Sequence, residues 1–108
     1  DKKITAIFQP HLYTRTRDFY KDFADSLSLL DEVILTEIYP AREQPIPGVS
    51  SRLIYDNLRP GIEKCICPKE DILNLLSKKS VEVLIVLGAG DLDNYVPSIT
   101  QLLEQQSK

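Results

Sequence analysis

The sequence predicts an α/β fold in which helices pack on a parallel β-sheet. Short apolar segments rich in β-branched residues alternate along the chain with segments that repeat apolar residues at helical spacing. This alternation occurs four times within 108 residues, and proline or glycine stands at most of the boundaries. Strands that alternate with helices in this way are typically joined by right-handed crossovers into one sheet. We therefore expect residues 1–108 to form a single domain.

The first half of the chain predicts two strands separated by a helix. Residues 4–9 (ITAIFQ) predict a buried strand, which Pro10 ends. Residues 15–30 predict a helix with one apolar stripe, because phenylalanine and leucine recur there at helical spacing. Residues 32–39 (EVILTEIY) predict the second strand, and residues 40–49, which carry three prolines and a glycine, predict a loop.

The middle of the chain predicts a helix, a short strand and another helix. Ser50 or Ser51 can cap a helix over residues 53–58. Residues 64–67 predict the third strand, and Pro68 suits the first position of the helix that follows. The apolar residues expected on the buried face of this second helix are Ile72, Leu75 and Leu76.

The last unit begins with residues 81–87 (VEVLIVL), the most apolar predicted strand. A Gly-Ala-Gly turn follows, and residues 95–103 predict a final helix. In parallel sheets of this kind, ligands bind outside the carboxyl ends of the strands. The segments that should carry function are therefore residues 10–17, 40–49 and 88–93.

Composition and charge disfavour several classes of protein. The 13 lysines and arginines against 16 aspartates and glutamates leave a net charge of −3, whereas a nucleic-acid binder needs a basic face. No apolar run approaches the roughly 20 residues that span a bilayer, and no leader opens the chain. We expect a cytoplasmic protein that binds neither nucleic acid nor membrane.

The two cysteines predict neither a disulfide nor a metal site. Cys65 and Cys67 lie two residues apart on a predicted strand and would point to opposite faces. A zinc site would need further cysteine or histidine ligands, and the only histidine is His11.

The segment after the first strand (PHLYTRTR) is a candidate anion site. It places His11 and Arg15 between a strand end and a helix start, where unpaired N–H groups favour negative charge. Arg15 can grip a carboxylate or a phosphate through two parallel hydrogen bonds. A histidine on such a loop is more often a local hydrogen-bonding group than a catalyst.

Structural roles are the simpler expectation for the neighbours of Arg15. Thr14 or Thr16 can cap the helix. Arg17 is expected to pair on the surface with Asp18 or Asp22, an interaction that usually contributes little.

The glycine-rich turn does not predict a nucleotide site. The third glycine of a dinucleotide fingerprint would fall at Asp93, and Asp91 and Asp93 would repel a pyrophosphate. No GxxxxGK[ST] phosphate loop occurs in the chain. The turn around Gly88 and Gly90 either lets strand and helix pack closely or offers its backbone to a substrate, and Asp91 could meet an ammonium group.

The proline-rich loop carries Arg42 and Glu43. A loop of this length at the ligand-facing edge can be a lid or a substrate clamp. It can equally be a stiff crossover whose charges are solvated, and the residues alone do not choose between the two.

Three strings together resemble one family. Residues 8–23 (FQPHLYTRTRDFYKDF), 38–52 (IYPAREQPIPGVSSR) and 86–93 (VLGAGDLD) resemble, in this order and spacing, the last domain of the UDP-N-acetylmuramate–L-alanine ligases of the Mur ligase family. The resemblance spans about residues 4–103. The ligase that recycles muramyl tripeptide shares the fold and is the nearest alternative, although a different string is associated with it at residues 10–15.

The resemblance implies a Rossmann-like C-terminal domain of a three-domain cytoplasmic enzyme of peptidoglycan synthesis. Such an enzyme joins L-alanine to UDP-N-acetylmuramate and uses ATP and Mg²⁺ to activate the lactyl carboxylate as an acyl phosphate. Its C-terminal domain helps to place the amino acid. The resemblance puts His11, Thr14 and Arg15 in the loop that faces the alanine site, with Arg15 as the candidate partner of the alanine carboxylate. Arg42, Gly88, Gly90 and Asp91 are possible loop contacts.

The chain also departs from the family pattern. Leu12 stands where some members have an arginine, so any second guanidinium is either absent or supplied from elsewhere. The opening strand and helix of the family's C-terminal domain, the phosphate loop, the magnesium ligands and the sugar site would lie before Asp1. We therefore expect no activity and no bound cofactor for this chain alone. The rival classes are a stand-alone flavodoxin-like binding module and a Rossmann-type oxidoreductase domain.

Overall fold

The computed structural model of the chain describes residues 3–79 and 81–88. The strands in this part are β1 (Ile4–Gln9), β2 (Glu32–Leu35), β3 (Glu63–Ile66) and β4 (Val83–Gly88). The α-helices are α1 (Tyr13–Leu27), α2 (Arg52–Asn57) and α3 (Ile72–Ser77), and a 3₁₀ turn over Lys69–Asp71 leads into α3. The helix predicted over residues 95–103 lies outside the described residues.

The four strands form one parallel sheet in the order β3-β2-β1-β4. Ala6 of β1 lies opposite Val33 of β2 on one side and Ile85 of β4 on the other. The predicted fold class, a Rossmann-like α/β arrangement with helices packed on a parallel sheet, is confirmed. The carboxyl ends of β1, β2, β3 and β4 consequently meet at one edge of the sheet.

Both faces of the central strands are buried, which explains why their sequences are apolar without alternation. One core lies between the sheet and helices α1 and α2 and consists of Ala6, Ala24, Leu27, Val33, Leu35, Ile54, Leu58 and Ile62. The second core lies on the face that carries α3 and consists of Ile7, Ile34, Cys67, Ile72 and Leu76. The buried face predicted for α3 is confirmed, with Leu75 packed half-buried at its margin.

The predicted length of the second strand was wrong. Regular pairing stops at Leu35 rather than continuing to Tyr39, because the neighbouring strand β1 ends at Gln9. Pro10 follows Gln9 and has no N–H group for a further ladder bond. Tyr39 rejoins the sheet only through one isolated parallel bridge to His11.

The predicted bounds of the first helix were also displaced. Helix α1 begins at Tyr13, two residues before the predicted start, and ends at Leu27, three residues before the predicted end. At its end, the Ser28 hydroxyl donates to the Ala24 carbonyl oxygen at 2.6 Å, and the chain turns before Asp31. The strands β3 and β4 differ from their predicted bounds by one or two residues.

Two predicted positions at helix starts need correction. Pro68 precedes the 3₁₀ turn with an extended ψ of 143°, so it is not the first helical residue. Ser51 does not cap α2 through its side chain, because its hydroxyl donates to the carbonyl oxygen of Thr36. The Ser50 hydroxyl accepts instead from the Arg52 N–H group at 3.1 Å.

The cysteines are free thiols, half-buried at Cys65 and buried at Cys67. Burial, with a smaller effect from neighbouring charges, raises the pKa of Cys67 to about 11. Its reactive thiolate form is therefore scarce at neutral pH.

A buried carboxylate joins three elements at the edge of the sheet opposite the candidate ligand segments. Glu32, at the start of β2, accepts hydrogen bonds from Lys79 Nζ at 2.7 Å and from Thr5 Oγ1 at 3.1 Å. Lys3 Nζ lies 3.7 Å away. Burial alone would raise the pKa of Glu32, but these partners outweigh burial and the pKa is lowered from its ordinary value of 4.5.

We predict that Glu32→Gln lowers the free energy of unfolding at pH 7 by about 1–2 kcal/mol, because the amide keeps the Thr5 contact but loses the charge-assisted bond to Lys79. A carboxyl with a lowered pKa stabilises the folded state above its ordinary pKa, and the contribution is lost as the pH falls through the folded-state value. Denaturant unfolding between pH 3 and 7, chosen as roughly the range that spans this titration, should therefore give a flatter curve for the variant. Parallel curves for both proteins would contradict this assignment.

Candidate functional site

A cleft of about 440 Å³ opens at the carboxyl edge of the sheet, where the sequence predicted a ligand site. The residues that line it are Phe8, Gln9, His11, Leu12, Arg15, Phe23 and Gly88. The end of β1, the first turn of α1 and the end of β4 therefore share one concave surface. Three of the predicted site residues, His11, Arg15 and Gly88, come together there.

The backbone after β1 is fixed against the backbone after β2. The Tyr39 N–H group donates to the Pro10 carbonyl oxygen at 2.8 Å, and the Leu12 N–H group donates to the Tyr39 carbonyl oxygen at 2.9 Å. The rings of His11 and Tyr39 stack with centroids 5.9 Å apart and an interplanar angle of 24°. His11 thus sits exposed at the mouth of the cleft, with its ring stacked on Tyr39.

Leu12 holds the chain in an uncommon conformation at the start of α1. Its φ of 70° lies in the region that residues with a side chain rarely adopt. The conformation is held by the Tyr39 contact and by two bonds to the Leu12 carbonyl oxygen, from Thr16 N–H at 3.2 Å and Thr16 Oγ1 at 2.9 Å. Strained backbone of this kind clusters at functional sites. Leu12 itself lines the cleft and contributes an apolar side chain to its wall.

Arg15 lies in the first turn of α1, exposed to solvent at the cleft. Its guanidinium carbon stands 5.7 Å from the ring centroid of Phe19, which is 45% exposed. Within residues 3–79 and 81–88, no carboxylate forms an ion pair with Arg15. Its neighbour Arg17 is engaged, because Arg17 Nε donates to Asp18 Oδ1 at 2.9 Å. The surface pair predicted for Arg17 is confirmed with Asp18.

The amino-terminal end of α1 is capped from the proline-rich loop. Glu43 Oε1 accepts from the N–H groups of Tyr13 at 2.6 Å and Thr14 at 3.1 Å, and Glu43 Oε2 accepts from Thr14 Oγ1 at 2.6 Å. The Thr14 hydroxyl, then the two N–H groups and the charge of Arg17, lower the pKa of Glu43, and burial opposes them only in part. Helix starts favour such a carboxylate.

The predicted threonine caps were therefore wrong. Thr14 and Thr16 both donate their hydroxyl hydrogens, to Glu43 and to the Leu12 carbonyl oxygen respectively, and neither accepts from the helix start. Glu43 was expected only as a charged residue of the proline-rich loop and not as a partner of α1. A signal existed: the first turn of α1 has no acidic residue of its own, so its positive end needed an anion from elsewhere.

Four further residues were predicted as site residues, and two of them, Thr14 and Arg42, lie in the described part of the chain. Thr14 is half-buried and is not among the described residues that line the cleft. Arg42 is exposed on the loop next to Glu43. Gly90 and Asp91 lie outside the described residues. Substrate contacts by these four residues stay predictions.

Within residues 3–79 and 81–88, no helix is both long enough and apolar enough to cross a membrane. No three histidine, cysteine, aspartate or glutamate side chains group there as potential metal ligands.

Comparison with known proteins identifies relatives over almost the whole chain. The chain is 78% identical to the UDP-N-acetylmuramate–L-alanine ligase of Phocaeicola vulgatus over 106 residues, which are 98% of this chain and 23% of that protein. It is 54% identical to the ligase of the same name from Parabacteroides distasonis over 97% of this chain and 22% of that protein. The Cytophaga hutchinsonii ligase is 49% identical, with the same shares covered. No family model matches.

The chain spans less than a quarter of the length of the curated relatives it matches. Identity at this level over nearly the whole chain is far above what unrelated proteins of the same fold share. The resemblance seen in three strings of the sequence is thereby confirmed: the chain is homologous, over nearly all of its length, to part of the UDP-N-acetylmuramate–L-alanine ligases.

Proposed function

We propose that this chain is the C-terminal, amino-acid-placing domain of an ATP-dependent ligase that joins L-alanine to UDP-N-acetylmuramate in the cytoplasm. The observation that carries the proposal is the 78% identity, over 98% of the chain, to a protein named for that reaction. The position of Arg15 at the cleft supports it, because an amino-acid substrate needs a receptor for its carboxylate.

In this proposal, Arg15 binds the carboxylate of L-alanine. The guanidinium is exposed at the cleft and forms no ion pair within the described ranges, so its planar fork is available for two parallel hydrogen bonds. The Tyr13 and Thr14 N–H groups at the helix start beside it already donate to Glu43, so these two groups do not compete with Arg15 for the substrate carboxylate. The fork is also oriented by the Phe19 ring beneath it.

His11 would contribute to one wall of the alanine site, and the backbone of Gly88 to the other. His11 is exposed, lines the cleft and is held by its stacking on Tyr39, so it can donate or accept a hydrogen bond without reorganisation. Gly88 brings the end of β4 to the same cleft. Thr14, Arg42, Gly90 and Asp91 are assigned supporting contacts in the closed enzyme.

ATP and Mg²⁺ are assigned to other parts of the ligase. The chain has no phosphate loop, and its described residues offer no group of metal ligands, so those residues fit neither partner. We assign the binding of UDP-N-acetylmuramate to the other domains of the ligase as well. The chain's share of the reaction is therefore to hold and orient the amino acid while the other domains activate the sugar's carboxylate.

We predict that Arg15→Ala raises the KM for L-alanine about ten- to a hundredfold in the full-length ligase. A hydrogen bond to a charged group contributes about 1.5–3 kcal/mol, and each 1.4 kcal/mol is about a factor of ten. Stability should change little, because the side chain is exposed. Steady-state kinetics with alanine and ATP varied in turn would measure the effect.

Arg17→Ala is the matched control, because Arg17 lies two residues further along α1 and is paired with Asp18. It should leave both KM values nearly unchanged. An unchanged alanine KM in Arg15→Ala would overturn the carboxylate role. A raised ATP KM with an unchanged alanine KM would show that Arg15 grips a phosphate instead.

We also predict that the chain alone binds ATP with a dissociation constant of about a millimolar or weaker. Without a phosphate loop, the contacts it could offer to adenine and ribose are too few to offset the entropy lost on binding. Isothermal calorimetry with and without Mg²⁺ tests this directly. A micromolar site that depends on Mg²⁺ would contradict the assignment of ATP to other domains.

A further inference from the structure

The start of α1 is an anion site that the chain itself has filled. A helix of 15 residues presents unpaired N–H groups and a partial positive charge at its first turn. Glu43 satisfies the Tyr13 and Thr14 N–H groups with one oxygen and the Thr14 hydroxyl with the other. All three contacts cross about 30 positions of sequence, so they tie two separate loops together.

The loop is shaped to deliver this carboxylate. The Glu43 N–H group donates to the Pro40 carbonyl oxygen at 2.9 Å and closes a tight turn. Ala41 within that turn has a φ of 53°, in the region that favours glycine. A residue with a side chain keeps such a conformation only when its surroundings enforce it. The enforcing contacts are the Glu43 bonds on one side and the Tyr39 backbone pairing on the other.

We propose that Glu43 is a positioning residue that fills the anion site of α1, fixes the turn from which Arg15 projects, and so reserves Arg15 for an incoming carboxylate. The identity of that carboxylate, L-alanine, rests on the function proposed above. Without Glu43, two receptors would compete within one turn of helix: the free N–H groups at residues 13 and 14, and the Arg15 guanidinium. A substrate carboxylate drawn to the N–H groups would be displaced from its productive place.

Occupancy of the helix start can be tested without any assumption about the reaction. Sodium sulfate would be titrated into the isotopically labelled chain while NMR follows the Tyr13 and Thr14 amides and the Arg15 Nε–H group. In the unchanged chain, only Arg15 should respond. In Glu43→Ala, the two amides should also shift and saturate, because their N–H groups are then open to the anion. Amides that respond equally in both proteins would overturn the proposal.

Matched variants keep that experiment decisive. Gln44→Ala changes the exposed neighbour in the same loop and should behave like the unchanged chain. Glu43→Gln keeps the size of the side chain and removes only its charge. This variant replaces Glu43→Ala in the sulfate titration if Glu43→Ala does not fold. It should open the amides to sulfate at least in part, and a response identical to the unchanged chain would count against the proposal.

Kinetics in the full-length ligase test the positioning role itself. Glu43→Ala should raise the alanine KM about tenfold, roughly 1.4 kcal/mol, with smaller changes in kcat and in the ATP KM. A structural defect alone would change all three together. In an Arg15→Ala background, the same substitution should add little, because the effect of Glu43 passes through the guanidinium that Arg15→Ala has already removed. Additive increases in the alanine KM would show that Glu43 does not act through Arg15.

If Arg15→Ala leaves the alanine KM unchanged while the sulfate titration gives the expected result, the proposed role of Arg15 in alanine binding fails. The proposal that Glu43 occupies the helix start then stands.

Discussion

The carboxylate of Glu43 at the start of α1 is the interaction on which the candidate site depends. It joins the loop after β2 to the helix that follows β1, and the cleft lies beside that junction. A parallel sheet brings strand ends to one edge but does not by itself fix the loops that follow them. Here the Tyr39 backbone pairing and the Glu43 side chain supply that order, and Arg15 projects from the helix turn that they hold.

The opposite edge of the sheet shows the same principle applied to stability. Glu32 collects Lys79, Thr5 and Lys3, which belong to segments far apart in sequence, around one buried carboxylate. Both carboxylates have a lowered pKa, so both favour the folded arrangement at neutral pH and lose that effect on acidification. The cores between these edges are apolar on both faces of the sheet, and the charged interactions define how the ends of the elements are arranged.

The sequence pattern correctly predicted several features that depend on residues close together in the chain. The strand β1 was predicted to the residue. The parallel sheet, the buried face of α3 and a surface pair of Arg17 with Asp18 or Asp22 were also predicted, and the structure shows the pair with Asp18. The errors came where distant residues decide. The second strand stopped early because its neighbour β1 ends, and α1 began early because Glu43, some 30 positions away, caps it. No window of sequence around either element contains that information. The site residues show the same difference. His11, Arg15 and Gly88 follow or end strands of a parallel sheet, so their meeting at one cleft was predictable from the sequence. The contact between Thr14 and Glu43 could be seen only in the folded structure.

The most direct test of this account is the titration of Glu43 itself, followed by carbon NMR of its carboxyl group with the Tyr13 and Thr14 amides in the same spectra. We predict a pKa of Glu43 below the ordinary value of 4.5, with both amide resonances moving at the same midpoint because both amides donate to the carboxylate that takes up the proton. A Glu43 carboxyl that titrates at its ordinary value while the two amides stay unmoved would contradict it.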